Sequence, residues 1–171
     1  MAGFSVSNNH YLRMIYMGNT EVTKKADRGK FTSSKLSKAD SQALRKGLAR
    51  LAEYDMDSVP DDNEDKKKDL FNNMKAFQDA YNYSIESGSK SQNKSVAQLT
   101  GQMKKLSSEH AKELSDYGIT FDDKGYMSIK NSAVNNISAS KYKKIIGKDS
   151  EYAKELSDIA KKLSKTIDIA V

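Results

Sequence analysis

The chain has no cysteine, no tryptophan, one proline and two histidines in 171 residues. Without cysteine there is no disulfide, no zinc–thiolate site and no thiol nucleophile. A single proline, Pro60, leaves long stretches free to run as uninterrupted helix. His10 and His110 are the only histidines, and no HExxH, GxSxG, Walker loop or GxGxxG occurs. No apolar run approaches the roughly 20 residues needed to span a bilayer. The stretch Tyr11-Leu-Arg-Met-Ile-Tyr-Met17 is too short for a signal-peptide core and is interrupted by Arg13. These absences predict a non-enzymatic chain with no cofactor, no metal, no membrane insertion and no cleaved export signal. Export by a route without a cleaved signal stays open.

Charge is what the chain has in quantity. Charged residues make up 30% and hydrophobic residues 37%, with a mean hydropathy of −0.76. That balance suits helices with one buried stripe. The net charge of +6 is spread among interleaved acids and lysines, with no aromatic–basic RNA motif, so no nucleic-acid partner is expected.

Residues 1–37 read as a basic arm, flexible or loosely docked, or ordering on a partner; Lys24, Lys25, Arg28, Lys30 and Lys35 give it its charge. The helical domain is expected over 38–171. Ser37 with Asp40 has the spacing of a capping box, and Leu44, Leu48, Leu51 and Tyr54 form one stripe. An acidic, Pro-containing linker follows from Asp55 to Asp62, with no glycine at the position a calcium loop needs. A second helix starts near Asn63, with its stripe at Leu70, Met74, Phe77 and Tyr81. A third starts near Asn93, with Val96, Leu99, Met103, Leu106, His110, Leu114 and Tyr117 close to a heptad seam. These two are expected to form an antiparallel, coiled-coil-like hairpin. His110 on the seam reads as a partly buried, hydrogen-bonded core residue.

Gly118 should stop the third helix. Ile119-Thr-Phe121, the turn Asp122-Asp-Lys-Gly125 and Tyr126-Met-Ser-Ile129 then predict a small β-hairpin over about 119–129. Asp122 and Asp123 read as turn residues, not as paired acids. A last helix from about Ser150 carries Tyr152, Leu156, Ile159, Leu163 and Ile167. Its stripe either completes a bundle or is an oligomerisation face. Completion is favoured, because an exposed stripe invites aggregation. The expected fold is mostly α: an antiparallel helical hairpin or bundle with one small β-hairpin.

The run Leu114 with Tyr117-Gly-Ile-Thr-Phe-Asp-Asp-Lys-Gly-Tyr-Met-Ser-Ile129 resembles the C-terminal region of bacterial flagellar filament-capping (hook-associated) proteins. There a helix ends in Leu, an aromatic or aliphatic residue and Gly-Ile-Thr, followed by an Asp/Asn-Gly turn and a short strand. Phe77-Gln-Asp-Ala-Tyr-Asn82 resembles that family's Phe-Val-x-x-Tyr-Asn helix. The likeness spans about 68–146. It implies a relative of the axial helical scaffold rather than a complete cap, with protein partners: itself, or flagellar or surface components. It implies a place in the flagellum or outside the cell, the alternative being a cytoplasmic helical adaptor or chaperone-like binder. Leu70, Met74, Phe77, Tyr81, Leu99, Met103, Leu106 and Leu114 on the seam, and Ile119, Phe121, Gly125 and Met127 in the hairpin, are expected to serve packing and assembly.

Overall fold

A computed structural model describes residues 10–58, 63–135 and 137–166. Helix starts follow capping chemistry closely. α3 (Ser33–Glu53) begins where the Thr32 hydroxyl accepts the Lys35 N–H. α4 (Glu64–Ser89) begins where the Asn63 side chain accepts the Lys66 N–H, with Glu64 and Asp65 at its positive end. α5 (Lys94–Glu109) begins where Asn93 accepts from the N–H groups of Ser95 and Val96. Shorter helices are α1 (His10–Ile15), α2 (Lys25–Arg28), α6 (Ala111–Ser115), α7 (Ser132–Asn135) and α8 (Ala139–Ile145). In α9 (Glu151–Thr166) the Ser150 hydroxyl accepts the Ala153 N–H at the start.

The expected capping box at Ser37 is corrected. Thr32 takes the cap instead, so Ser37 and Asp40 fall inside α3, and both are buried. The third helix is also shorter than expected. It breaks at His110 between α5 and α6, within the run of seam residues.

Four helices make the bundle. α4 packs most extensively on α3, α3 also along α9, and α5 along α9 as well as α4. The sequence pointed to α5 as the main partner of α4. α4 instead has more than one buried face: Ala76, Ala80 and Ser84 are buried beside the stripe of Leu70, Met74, Phe77 and Tyr81. Gly47 on α3 lets the helices approach, since a Cβ there would lie 3.4 Å from the Phe77 Cα. Where α4 meets α5, a Cβ on Gly88 would lie 2.0 Å from the Thr100 hydroxyl oxygen. Among the described residues the α9 stripe completes the bundle: Tyr152, Leu156 and Leu163 are buried and Ile159 partly so. Ile167 lies outside the described residues.

The hairpin forms as the spacing predicts. β1 (Ile119–Phe121) pairs antiparallel with β2 (Met127–Ile129), with Ile119 opposite Ile129 and Phe121 opposite Met127. Gly118 and Gly125 take φ of +78° and +84°, a conformation that favours glycine. The Asp122 carboxylate accepts the N–H groups of Lys124 and Tyr126, so it closes the turn.

The N-terminal arm is the largest correction. From His10 onward it belongs to the bundle: Leu12, Ile15, Tyr16 and Val22 are buried in the same core as the long helices. Residues 1–9 lie outside the described residues. No helix among the described residues is long and apolar enough to cross a membrane.

Candidate functional site

α4 is the centre of the molecule, and its polar residues are where chemistry collects. From Asn73 to Gly88 only Lys75 and Glu86 escape full burial. A helix this enclosed would ordinarily be apolar all round, yet Asn73, Gln78, Asp79, Asn82, Ser84 and Ser87 are inside. Buried polar groups must be partnered or they cost stability, so their partners reveal what each holds.

Two amides hold the hairpin. The Asn82 Nδ2 donates to the Met127 carbonyl at 2.9 Å, and its Oδ1 accepts the Met127 N–H at 2.7 Å. The Gln78 Oε1 accepts the Ile129 N–H at 2.8 Å. Together they act as a third strand built from side chains along β2. The Tyr81 ring stands edge-on to Phe121 with centroids 5.8 Å apart.

Ser87 and Tyr83 hold the N-terminal segment through Asp40. Arg28 donates two hydrogen bonds to the Asp40 carboxylate, at 3.0 and 2.7 Å. Tyr16 donates a third at 2.7 Å and Ser87 a fourth at 2.7 Å. The Arg28 guanidinium lies 3.6 Å from the centre of the Tyr83 ring and also donates to the Val22 carbonyl. Burial, then the Asp40 charge, push the Tyr16 hydroxyl well above its ordinary range, so it stays a donor. Beside this clasp lies a cleft of about 290 Å³, with Phe31 and Leu36 among its apolar walls and Lys25, Glu86 and Lys90 among its polar ones.

A third chain of bonds joins three long helices: Tyr81 on α4, Ser107 on α5 and Tyr152 on α9, at 2.8 and 3.0 Å. His110 sits half-buried against Tyr152, with ring centroids 5.5 Å apart and Glu113 at 3.5 Å. That is the partly buried core histidine its seam position suggested. Among the described residues no three His, Asp or Glu side chains converge to hold a metal ion.

Asp79 stands apart. It is fully buried, and among the described residues neither carboxylate oxygen accepts a hydrogen bond. Burial pushes its carboxyl up to about 7, against the opposing pull of Lys75.

The residues expected to serve packing and assembly are placed as follows. Leu70, Met74, Phe77, Tyr81, Met103, Leu106, Leu114, Ile119 and Met127 are buried in this chain's own core, with Leu99 and Phe121 packed against it. Gly125 occupies the turn, where Lys104 lies 3.0 Å from the position a Cβ would take. Arg28, Asp40, Gln78, Asp79, Asn82 and Ser87 were missed. One signal could have found Asp40: it stands four residues before Leu44, in register with Leu48 and Leu51. Another was the density of amides, hydroxyls and acid through 78–87. Nothing in the sequence separates Arg28 from the lysines around it.

Comparison with protein-family models, with curated proteins and with solved structures returns no match.

Proposed function

We propose that this chain is a non-enzymatic structural protein, a helical scaffold related to the flagellar axial proteins, which works by assembling with itself or with other filament or surface components. The observation that supports this reading is the bond between Asn82 and Met127. Asn82 closes the Phe77–Asn82 stretch and Met127 lies in the Tyr117–Ile129 stretch, the two runs that carry the resemblance. Their union explains both motifs as one mechanical joint, a helix clamping a hairpin. The polar interior of α4 supports the same reading, since Gln78, Tyr81, Asn82 and Ser87 bond to neighbouring elements of the fold.

The test is location. Cytosol, culture medium and sheared surface filaments are probed for the protein, in strains with and without a working flagellar export apparatus. Appearance in filaments or medium that depends on that apparatus is the expected result. Retention in the cytosol of both strains overturns the reading. It would favour a helical adaptor, for which the cleft beside Phe31 and Leu36 offers a binding surface.

A further inference from the structure

α9 completes the bundle with one face and leaves another to solvent. Glu151, Glu155, Asp158, Lys162 and Lys165 follow at steps of four, three, four and three, so they share one stripe of the helix, and all five are exposed. The acids fill its first half and the lysines its second. The helix dipole accounts for Glu151 in the first turn and Lys165 in the last, but its pull fades beyond those turns. It does not account for Glu155, Asp158 and Lys162. None of the five makes an ion pair among the described residues, although Asp158 and Lys162 stand one turn apart. Other helices pair such neighbours internally: Lys67 with Glu64, Lys90 with Glu86, Lys105 with Glu109. Beside the stripe, a groove of about 340 Å³ runs between α5 and α9, with Leu106 and Ile159 among its walls. Ile159 is only partly buried within its own chain.

A face that is acidic at one end and basic at the other is complementary to itself turned end for end. We propose that this is a two-fold dimerisation face, with α9 of a second copy packed antiparallel along the stripe and over the α5/α9 groove. With the axis at the level of Ala160, Asp158 stands opposite Lys162 of the second copy and Glu155 opposite Lys165, and symmetry makes each pair twice. Ile159 lies next to that axis, so the contact also covers its exposed part. A parallel arrangement would set acid on acid and lysine on lysine, so charge fixes the orientation. The pairs lie at exposed positions, which makes the contact sensitive to salt. This inference rests on the assembly reading above and names the partner as a second copy of this chain.

The experiment is sedimentation velocity on the full chain across a concentration series, at about 50 mM and about 500 mM salt, conditions that change the screening length severalfold. A monomer–dimer equilibrium that stops at the dimer is expected at low salt, with a dissociation constant about tenfold weaker or more at high salt. Glu155→Lys/Asp158→Lys and Lys162→Glu/Lys165→Glu should each weaken dimerisation about a hundredfold or more, because like charges then face each other. Both should keep an unchanged helical circular dichroism spectrum. Mixing these two variants should restore a dimer, since every lysine of one then meets an acid of the other. The variant carrying all four changes should dimerise with itself and not with the wild type. A wild type that is monomeric at low salt overturns the proposal and reassigns the face to a different protein partner. Larger species in place of a dimer, dimers that persist in both double variants, or a mixture that stays monomeric also overturn it. Location decides the scaffold reading separately: a monomer found in filaments defeats only this contact, and a dimer held in the cytosol defeats only the scaffold.

Discussion

Asp40 and Asp79 are both 0% exposed, and the molecule treats them in opposite ways. Asp40 receives four hydrogen bonds, from Arg28 twice, Tyr16 and Ser87. Those donors come from α2, from the chain just after α1, and from α4, so a single carboxylate ties distant segments to α3. Asp79 receives none among the described residues. The cation that pulls on it, Lys75, donates its ammonium to Gln78 instead. Depth is therefore not what decides whether a buried acid works as a structural part. Partner number decides it. A charge with a full set of donors locks a segment in place, whereas the same group without them is a standing cost.

Breaking the satisfied side should have the largest effect. Arg28→Met leaves the buried Asp40 with two of its four hydrogen bonds gone, and should cost about 3–5 kcal/mol in denaturant unfolding. A loss below about 1 kcal/mol would mean that the clasp is not holding the N-terminal segment.

Relieving the unsatisfied side should do the reverse, and only at high pH. Below about pH 4 the Asp79 carboxyl is protonated in both folded and unfolded chains, so it costs nothing. As pH rises, the unfolded chain ionises near 4 while the folded chain holds its proton to about 7. Stability falls across that window, and above it the full cost is present, on the order of 4 kcal/mol. Asp79→Asn keeps an unpaired polar group, so it should recover only about 1–3 kcal/mol at pH 8 and nothing at pH 4, as read from thermal unfolding at both.

The hairpin clamp lies between these cases. Its amides are neutral, so removing one exposes no charge. Asn82→Ala leaves the Met127 N–H and carbonyl without partners and should cost about 2–3 kcal/mol, with faster hydrogen exchange at the Met127 and Ile129 amides. Gly88→Ala should be the mildest of the destabilising changes, about 1–2 kcal/mol. The added methyl must displace Thr100, whose Cβ and Cγ2 lie at 3.1 and 3.2 Å as well as its hydroxyl. If Gly88→Ala proved harmless, the α4–α5 contact would be looser than the geometry implies.

Those elements were legible in the sequence to different degrees, for physical reasons. The hairpin was readable because glycines at positive φ and an Asp-closed turn are local devices, decided by a few adjacent residues. The starts at Asn63 and Asn93 were readable for the same reason. The stripes of α3, α4, α5 and α9 were readable because their spacing is an intrinsic helical period. Which helix α4 packs on was not readable, since Ala76, Ala80 and Ser84 look like neutral filler until a neighbour is present. The N-terminal segment was misread as an arm because its charge dominates its composition. Its docking depends on Leu12, Ile15 and Tyr16, and on an Arg28–Asp40 pair separated by a turn and a cap. Asn82 and Met127 were each noticed within a motif, but a bond between a helix side chain and a strand backbone forty-five residues later leaves no periodic trace.

The most direct test is a carboxyl titration of Asp79 itself, followed by carbon NMR in the folded protein with Asp79→Asn to assign the signal. A midpoint near 7 is expected. A midpoint at the ordinary carboxylate value near 4 would mean that Asp79 has found water or a donor, and would contradict the contrast with Asp40.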